Sequence, residues 1–370
     1  MIGRRAGNGT GPTRVVIAAG GTGGHVFPAL AVAGELRARG VEVHFLGTAT
    51  GLEARAVPAA GFPLETMSMK GLRGGGWRRW AALPWTLSRA VWGAGTVLRR
   101  LGPAAVLGMG GYVSVPAGLA ARLLGIPLVL HEQNAVPGLA IRVLGGQARR
   151  ILTGFPEAAE AVGSRGEWAG IPVRSDLLAL PPPESRFAER SGPLRVLVLG
   201  GSQGASFLNT RLPGCLARSG RPLQVWHQAG ERDAGAVRRA YASSGLTAEV
   251  APFIEDMAAA YGWCDLAVCR AGAATVAELA AVGVPALLVP YPHAVDDHQR
   301  RNADALVRRG AAECVTQAEW DDDAVTGRLA GELGDRAVLA GMAEAARAFA
   351  RPEAARLVAE RCVEEVPDAA

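Results

Sequence analysis

The sequence predicts an α/β protein built from two parallel-sheet domains. Short aliphatic runs alternate with helix-length segments along the chain, and each run ends in or runs into glycine or a polar residue. Such runs are typical of βαβ units, whose strands are buried on both faces of a parallel sheet. The pattern starts again after Pro172, and 370 residues exceed the length at which a single core is usual. Two domains are therefore expected.

Eight apolar runs are predicted as strands, four on each side of Pro172. Before it they span residues 15–19, 43–47, 105–108 and 128–131, and after it residues 194–200, 223–227, 266–269 and 286–290. The segment 177–193 carries three consecutive prolines and several charges, which is typical of the entry to a second domain. We therefore predict domains at 12–172 and 173–345. Residues 346–370 are predicted to form a C-terminal helix, which either extends the second domain or packs back on the first.

Composition excludes several classes of protein. The chain has 39 basic and 34 acidic residues, and this net charge of +5 is too small and too evenly mixed to indicate a nucleic-acid partner. The five cysteines include no C-x-x-C pair, so reduced, mostly buried thiols are favoured over disulfides or a zinc site. The N-terminus lacks the apolar stretch of a signal peptide, and the longest apolar region, 104–130, is interrupted by Gly, Pro and Arg122. A cytoplasmic protein is expected.

Four glycine-containing turns follow predicted strands and precede predicted helices. They lie at residues 20–25, 108–112, 200–204 and 270–275, two in each half of the chain. Glycine lets the backbone approach a ligand closely, and the start of a helix presents free N–H groups to an anion. One such turn is often only a tight connection. Four of them at strand-to-helix junctions predict two phosphate-binding surfaces, one in each domain.

Two common classes of nucleotide-binding protein do not fit these turns. A dinucleotide fold requires an acidic residue at the end of the second strand to hold the ribose. That strand ends here in residues 45–48, Phe-Leu-Gly-Thr, with Glu42 at its start. A Walker-type Gly-Lys-Ser/Thr motif is absent, and the chain contains a single lysine, Lys70. Nicotinamide chemistry and P-loop ATP chemistry are therefore disfavoured.

Polar clusters follow two of the predicted strands. Residues 131–134 (His-Glu-Gln-Asn) end one strand, and residues 293–299 follow another. Their side chains should emerge at the carboxyl edge of a sheet, where ligands bind in open α/β folds, although each cluster alone is also typical of a polar turn. The spacing of Asp296, Asp297 and His298 allows a metal ion, but adjacent aspartates on a loop more often cap a helix. We expect chemistry without a metal or another cofactor.

A basic, tryptophan-rich segment lies between Lys70 and Arg100. No acidic residue interrupts it, and it holds half of the chain's eight tryptophans. Tryptophan prefers the membrane interface and arginine prefers anionic headgroups, so the segment predicts a surface that docks on an anionic membrane. The alternative is a core helix with a solvated basic face. The residues concerned are Arg73, Trp77, Arg78, Arg79, Trp80, Trp85, Arg89, Trp92, Arg99 and Arg100.

Five motifs, in one order and spacing, resemble those of the bacterial MurG glycosyltransferase family. They are residues 20–25 (Gly-Gly-Thr-Gly-Gly-His), 110–114 (Gly-Gly-Tyr-Val-Ser), 131–134, 200–205 (Gly-Gly-Ser-Gln-Gly-Ala) and 292–302. The resemblance covers Val15 to about Leu306. Taken together, the motifs are very specific to this family.

The resemblance implies a GT-B fold, in which two Rossmann-like parallel-sheet domains face each other across a cleft. It implies an inverting transfer of N-acetylglucosamine from UDP-N-acetylglucosamine to undecaprenyl-pyrophosphoryl-N-acetylmuramyl pentapeptide, a step of peptidoglycan synthesis. The N-terminal domain would face the membrane and take the acceptor, and the C-terminal domain would bind the UDP sugar. The enzyme would be a peripheral protein at the cytoplasmic face of the cell membrane.

Matching motifs assign the substrate-binding positions. The sequence departs from the family pattern at Ile141, Ile171, Glu255 and Ala271, and the last of these removes a hydroxyl near the fourth glycine turn. The positions implied to contact the donor are Thr22, Gly23, Gly24, Asn134, Arg174, Ser202, Ile254, Ala273, Ala274, Thr275, Val276, Ala277, Glu278 and Gln299.

The chemistry of a UDP donor gives several of these residues a role. A carboxylate suits the ribose diol, and Glu278 lies about one helical turn beyond the fourth glycine turn. Backbone N–H groups of the third and fourth glycine turns suit the pyrophosphate, where Arg174 or Arg270 would assist the leaving UDP. Uracil is expected against backbone groups at 253–254, at the end of a short apolar run.

The acceptor hydroxyl requires a general base. His25 is the first candidate, because it lies at a helix start beside the first glycine turn and a helix N-terminus disfavours the charged imidazolium. A helix cap or a phosphate contact is the alternative role for this residue. Glu132 is the competing base, because its carboxylate also lies at the carboxyl end of a predicted strand.

Two other functions would use the same donor fold. One is a non-catalytic nucleotide-sugar sensor or membrane recruitment subunit, which needs only the donor side. The other is a GT-B UDP-N-acetylglucosamine epimerase, which has no use for a tryptophan- and arginine-rich surface. Incubation with UDP-N-acetylglucosamine and the lipid-linked acceptor separates these functions, because only the transferase gives a disaccharide.

Overall fold

Two parallel sheets form the scaffold, as the sequence predicts. The computed structural model describes residues 12–67, 83–201 and 204–366. Predictions for Lys70, Arg73, Trp77, Arg78, Arg79, Trp80 and Ser202 lie outside the described residues.

The first sheet contains seven described strands in the order β3-β2-β1-β4-β5-β6-β7. These strands are β1 Arg14–Ala18, β2 Glu42–Gly47, β3 Leu64–Thr66, β4 Ala105–Gly108, β5 Leu128–Glu132, β6 Arg150–Thr153 and β7 Gly166–Trp168. The helices in this part of the chain are α1 Gly23–Ala38, α2 Glu53–Ala59, α3 Leu83–Leu101, α4 Ser114–Leu123, α5 Leu139–Leu144 and α6 Pro156–Val162.

The second sheet contains six described strands in the order β10-β9-β8-β11-β12-β13. These strands are β8 Leu194–Leu199, β9 Leu223–Gln228, β10 Thr247–Ala251, β11 Leu266–Cys269, β12 Ala286–Leu288 and β13 Ala312–Cys314. The helices in the rest of the chain are α7 Ser175–Leu178, α8 Pro183–Ala188, α9 Ser206–Arg218, α10 Ala234–Ser244, α11 Met257–Trp263, α12 Ala273–Val282, α13 His298–Val307, α14 Asp322–Ala330, α15 Arg336–Phe349 and α16 Ala354–Glu364.

Burial on both faces explains the continuous apolar runs of the central strands. Ile17 of β1 pairs in register with Phe45 of β2 and Leu107 of β4, and all three side chains are fully buried. Parallel sheets covered by helices on both faces require such runs. In β8 successive side chains alternate between two apolar clusters, with Leu197 in one cluster and Val198 in the other.

The strand order reverses at one place in each sheet. In the first sheet the reversal lies between β1 and β4, and in the second it lies between β8 and β11. Ligands of open α/β sheets bind outside the carboxyl ends of the strands at this switch point. The first and second glycine turns follow β1 and β4, and the third and fourth follow β8 and β11. Each sheet therefore carries two glycine turns at the place where a ligand is expected.

The chain forms two compact units. Unit 1 comprises Met1–His131, Gly138–Leu152 and Ala355–Ala370, and unit 2 comprises Glu132–Pro137 and Thr153–Ala354. Within unit 1, Glu360 of α16 pairs with Arg39. The functional boundary at residue 172 and the separate segment 346–370 stay predictions.

Candidate active site

The first glycine turn in unit 1 leads directly into α1. Gly21 has φ +97°, which an L side chain rarely adopts, and Thr22 is extended at the helix N-cap. The amides of Gly23 and Gly24 precede the first intrahelical hydrogen bonds, so they point out of the N-terminus of α1. The helix begins at Gly23, two residues before His25. His25 therefore lies inside the first turn of α1.

The structure brings His25 together with the second glycine turn. The half-buried His25 ring places Nδ1 3.1 Å from Oγ1 of Thr22. Gly111 has φ +74°, and a Cβ at this position would lie 2.3 Å from the carbonyl oxygen of Gly20 and 3.6 Å from Nδ1 of His25. The two turns thus pack closely enough that only glycine fits at residue 111.

The Glu132 carboxylate holds its own turn. Glu132 is buried, and its Oε1 accepts hydrogen bonds from the backbone N–H of Asn134 at 2.9 Å and from Nδ2 of Asn134 at 3.1 Å. This arrangement fixes the side chain of Asn134, one of the predicted substrate contacts. It gives Glu132 a structural role beside the catalytic role predicted for it.

Asn302 is a residue of this site that sequence reasoning did not single out. It is fully buried on α13, and its Oδ1 accepts from the amide of Ala135 at 2.8 Å. Its Nδ2 donates to Oδ1 of Asn134 at 3.3 Å and to the carbonyl of Ala271 at 3.1 Å. Asn302 therefore joins the 131–134 cluster to the fourth glycine turn. A signal was available, because Asn302 lies one helical turn after Gln299.

The fourth glycine turn in unit 2 starts α12. Gly272 is the N-cap of this helix, so Ala273, Ala274 and Thr275 supply its first-turn amides. Ala273 and Val276 are buried in the core, whereas Ala274, Thr275, Ala277 and Glu278 are half-buried. Any ligand contact of Ala273 or Val276 is therefore made by the backbone.

Glu278 is hydrogen-bonded to Tyr261 and lies within the electrostatic influence of Arg174. The hydroxyl of the fully buried Tyr261 donates to Oε2 of Glu278 at 3.0 Å. Burial raises the pKa of Glu278 above its usual range, although the charge of Arg174 and the bond from Tyr261 both act to lower it. Burial also raises the pKa of Tyr261 well above 10, so its hydroxyl remains a donor. Arg174 also forms an ion pair with Asp176, in which Nε of the arginine lies 3.7 Å from Oδ1 of the aspartate.

Gln228 is a second residue that the sequence did not single out. It is buried at the end of β9, and its Nε2 donates to the carbonyl of Gly201 at 3.0 Å. Its Oε1 accepts from the amide of Ile254 at 2.9 Å. The backbone amide of Ile254, one of the groups expected to contact uracil, is thus hydrogen-bonded within the protein. The neighbouring Phe253 is 52% exposed. Gln228 ties the third glycine turn to the expected uracil segment.

Two other predicted contacts have partners within unit 2. Oε1 of Gln299 accepts from the amide of Tyr291 at 2.9 Å. Arg270 donates to the carbonyls of Val289 and Pro290, each at 3.0 Å, and to Oε1 of Gln317 at 2.8 Å. These bonds hold the Arg270 guanidinium at the end of β12. Both arginines proposed to assist the leaving group, Arg174 and Arg270, therefore have partners within the protein.

The described part of the tryptophan-rich segment forms α3 in unit 1. Trp85 and Trp92 are 69% and 73% exposed, and their spacing of seven residues places them on one face of the helix. The alternative in which these tryptophans belong to the core is wrong for these two residues. Arg99 and Arg100 lie in the last turn of α3. None of the described helices is both long and apolar enough to span a bilayer.

Comparison with protein families and known proteins agrees with this geometry. Residues 15–153 match the glycosyltransferase family 28 N-terminal domain, and residues 195–358 match the glycosyltransferase family 28 C-terminal domain. A protein of Acidithiobacillus ferrooxidans is 54% identical over 95% of this chain and 97% of its own length. Its name is UDP-N-acetylglucosamine–N-acetylmuramyl-(pentapeptide) pyrophosphoryl-undecaprenol N-acetylglucosamine transferase.

Two further relatives agree with the first. A protein of the same name from Halorhodospira halophila is 56% identical over 95% of this chain and 98% of its own. The crystal structure of MurG from Acinetobacter baumannii superimposes with a TM-score of 0.81 at 40% identity, covering 95% of this chain and all of the other. The chain therefore belongs to glycosyltransferase family 28 and has the GT-B fold that its motifs predict.

Proposed function

We propose that the protein transfers N-acetylglucosamine from UDP-N-acetylglucosamine to undecaprenyl-pyrophosphoryl-N-acetylmuramyl pentapeptide, with inversion at the anomeric carbon. The observation that carries the proposal is the 54–56% identity, across 95% of the chain, to proteins named for this reaction. The pair of glycine turns at the switch point of each sheet supports it, because the reaction involves two phosphate-bearing substrates.

The contacts to the UDP part of the donor are assigned to unit 2. The Glu278 carboxylate accepts the ribose hydroxyls, and the first amides of α12 bind the pyrophosphate. As the bond between the anomeric carbon and the UDP oxygen breaks, negative charge develops on UDP. The amides of α12 and the guanidinium of Arg174 stabilise that charge, because they are fixed donors aimed at the leaving group.

The acceptor hydroxyl is activated from unit 1. His25 takes the hydroxyl proton as the oxygen attacks the anomeric carbon from the face opposite UDP, which gives inversion. The amides of Gly23 and Gly24, at the N-terminus of α1, stabilise the negative charge of a substrate phosphate beside the reacting centre. Glu132 is the competing base, but its Oε1 already accepts two bonds from Asn134.

A single incubation tests the proposed function. The protein, UDP-N-acetylglucosamine and the lipid-linked acceptor should give UDP and a lipid-linked disaccharide in equal amounts, measured by mass spectrometry. Formation of UDP-N-acetylmannosamine without acceptor would instead identify an epimerase. Binding of UDP-N-acetylglucosamine with neither product would identify a sensor.

Replacing Glu278 with glutamine should weaken UDP binding about 10- to 100-fold, because a hydrogen bond to a charged group contributes about 1.5–3 kcal/mol. The affinity should also depend on pH. The carboxylate form binds the ribose diol, so wild-type affinity falls as the pH drops through the raised pKa of Glu278. The loss should begin at a higher pH than for an ordinary glutamate. Calorimetric titration with UDP across pH measures both effects.

The pH-dependent loss that comes from Glu278 should be missing from the glutamine variant. Protonation of UDP itself affects both proteins equally, so the difference between the two curves isolates Glu278. Glu249→Gln, an exposed change on β10, is the matched control and should bind UDP like the wild type. If the Glu278 variant and the wild type bound UDP with equal affinity at neutral pH, Glu278 would not be a ligand of UDP.

We propose that α3 is part of a surface that docks on the cytoplasmic face of the membrane, with Trp77, Trp80, Arg78 and Arg79 in the same segment. Replacing Trp85 and Trp92 with serine should weaken binding to vesicles containing anionic lipid at least about tenfold, because buried apolar surface contributes about 25 cal/mol per Å². Vesicle sedimentation measures the effect. Turnover on a short-chain soluble acceptor should not change.

Val338→Ser on α15, at a residue that is 39% exposed, is the control for loss of an exposed apolar side chain. It should bind vesicles as the wild type does. Equal loss of turnover on soluble and lipid-linked acceptors in the double tryptophan variant would reject the docking role.

A further inference from the structure

Glu53 is a fully buried carboxylate that none of the roles above uses. It is the first residue of α2, and its Oε2 accepts from the amide of Gly21 at 3.1 Å. Its Oε1 accepts from the amide of Thr48 at 3.1 Å and from Oγ1 of Thr48 at 2.6 Å. One carboxylate thus joins the glycine turn after β1 to the loop after β2.

Three glycines make room for this side chain. A Cβ at Gly51 would lie 2.1 Å from Oε2 of Glu53, one at Gly47 would lie 2.7 Å from its Cγ, and one at Gly20 would lie 2.8 Å from its Oε1. None of the three has a positive φ, so their backbone conformation does not require glycine. The space taken by Glu53, and at Gly20 also by Val113, is what requires glycine. This part of unit 1 is therefore built around a buried carboxylate.

Stability alone is a weak reason for such a group. A buried carboxylate is costly unless its oxygens are hydrogen-bonded, and the three donors here are neutral groups. An apolar side chain of similar volume often serves a core equally well. Unlike an apolar side chain, a carboxylate forms directional hydrogen bonds, and each oxygen here fixes the position of one backbone N–H.

The backbone that Glu53 fixes lies next to His25, the proposed base. Binding the Gly21 amide fixes the peptide between Gly20 and Gly21, one residue before Thr22, and Oγ1 of Thr22 lies 3.1 Å from Nδ1 of His25. On the other side, Oγ1 of Thr48 lies 3.3 Å from the hydroxyl of Tyr112, which belongs to the second glycine turn. Both glycine turns of unit 1 are therefore connected to this one carboxylate.

We propose that Glu53 is a positioning residue for catalysis: it holds the first glycine turn so that Thr22 orients His25 and the amides of Gly23 and Gly24 face the reacting centre. This inference rests on the proposed transferase function. It assigns no contact between Glu53 and a substrate.

Glu53→Gln in the full-length protein tests the role. The amide –NH₂ must face one of the N–H donors that the carboxylate accepted, so one of the two loops loses its anchor. We expect kcat on the lipid-linked acceptor to fall about 10- to 100-fold, the range produced by small misplacements of catalytic groups. The Kd for UDP should not change, because the contacts proposed above for UDP itself lie in unit 2. Steady-state kinetics and calorimetry supply the two readouts.

Controls separate positioning from folding and from the proposed function. Glu35→Gln, at a solvent-accessible residue paired with Arg39, should leave kcat unchanged. Thr48→Val removes one donor to Glu53 and should lower kcat in the same direction by less, which keeps the test decisive if Glu53→Gln does not fold. Wild-type kcat in either Glu53→Gln or, failing that, Thr48→Val would overturn the inference, as would a parallel loss of UDP binding. A wild-type protein that forms no disaccharide would overturn the proposed function instead.

Discussion

Replacing His25 with alanine should lower kcat by about 10²–10⁴-fold and leave the Kd for UDP unchanged, because a positioned general base contributes roughly that factor. The ring lies in the first turn of α1 with Nδ1 3.1 Å from Oγ1 of Thr22. With the proton on Nδ1, which lies within hydrogen-bond distance of Thr22, the proposed base would take the proton of the acceptor hydroxyl through Nε2. Pre-steady-state turnover with saturating substrates isolates the chemical step.

Glu132→Gln distinguishes the two candidate bases. The structure commits Oε1 of Glu132 to the backbone and side chain of Asn134, so we expect a smaller loss of kcat than in His25→Ala. His44→Gln is the matched control, since His44 pairs with Glu42 on β2, outside the glycine turns. A larger loss in Glu132→Gln than in His25→Ala would transfer the role of base to Glu132.

Most of the central strands could be predicted from the sequence almost to the residue, whereas β6 and the edge strands could not. β4 and β11 have the predicted bounds, because strands buried on both faces are continuous apolar runs. β7 is only Gly-Glu-Trp, and in β10, at the edge of its sheet, Val250 alone among the five residues is buried. Such strands are defined by the neighbour they pair with rather than by their own composition.

The residues of the candidate site also differ in how well the sequence predicts them, depending on whether their contacts are local. The glycine turns and the polar strand ends are local features, so the sequence shows them. Glu53, Gln228 and Asn302 act through partners that are distant in sequence: Asn302 lies 167 positions from Ala135, and Glu53 lies 32 positions from Gly21. The sequence gives the chemical type of such a side chain, but the strand order decides which backbone group it meets. The same limit applies to Ile254, whose amide donates to Gln228.

Replacing Asp265 with alanine should lower the free energy of unfolding by about 3–5 kcal/mol, because it leaves buried positive charge without its partner. Asp265 is fully buried just before β11, with Oδ1 3.2 Å from the guanidinium of Arg190 and Oδ2 3.0 Å from that of Arg336. Burial lowers the pKa of Arg190, because it disfavours the charged guanidinium, whereas the charge of Asp265 acts to raise it. Urea denaturation followed by circular dichroism measures the change.

Glu313→Ala is the control for loss of a carboxylate from the same sheet. Glu313 of β13 pairs with Arg328, whose side chain is 45% exposed, and such a solvent-exposed pair contributes only about 0–1 kcal/mol. Equal destabilisation by the two alanine variants would show that the buried network has no special role.

The Asp265 variant should keep its affinity for UDP while it loses stability. Besides the two arginines, Oδ2 of Asp265 accepts from the amide of Arg195 at 3.0 Å, and the amide of Asp265 donates to the carbonyl of Arg195 at 2.8 Å. These bonds join β8 and β11 at their amino ends. The third and fourth glycine turns lie at the opposite, carboxyl ends of the same strands. Because the folded protein retains the strand pairing of β8 with β11 between the two ends, the donor site should survive. An affinity for UDP that falls in the folded protein would instead show that the network sets the geometry of the switch point.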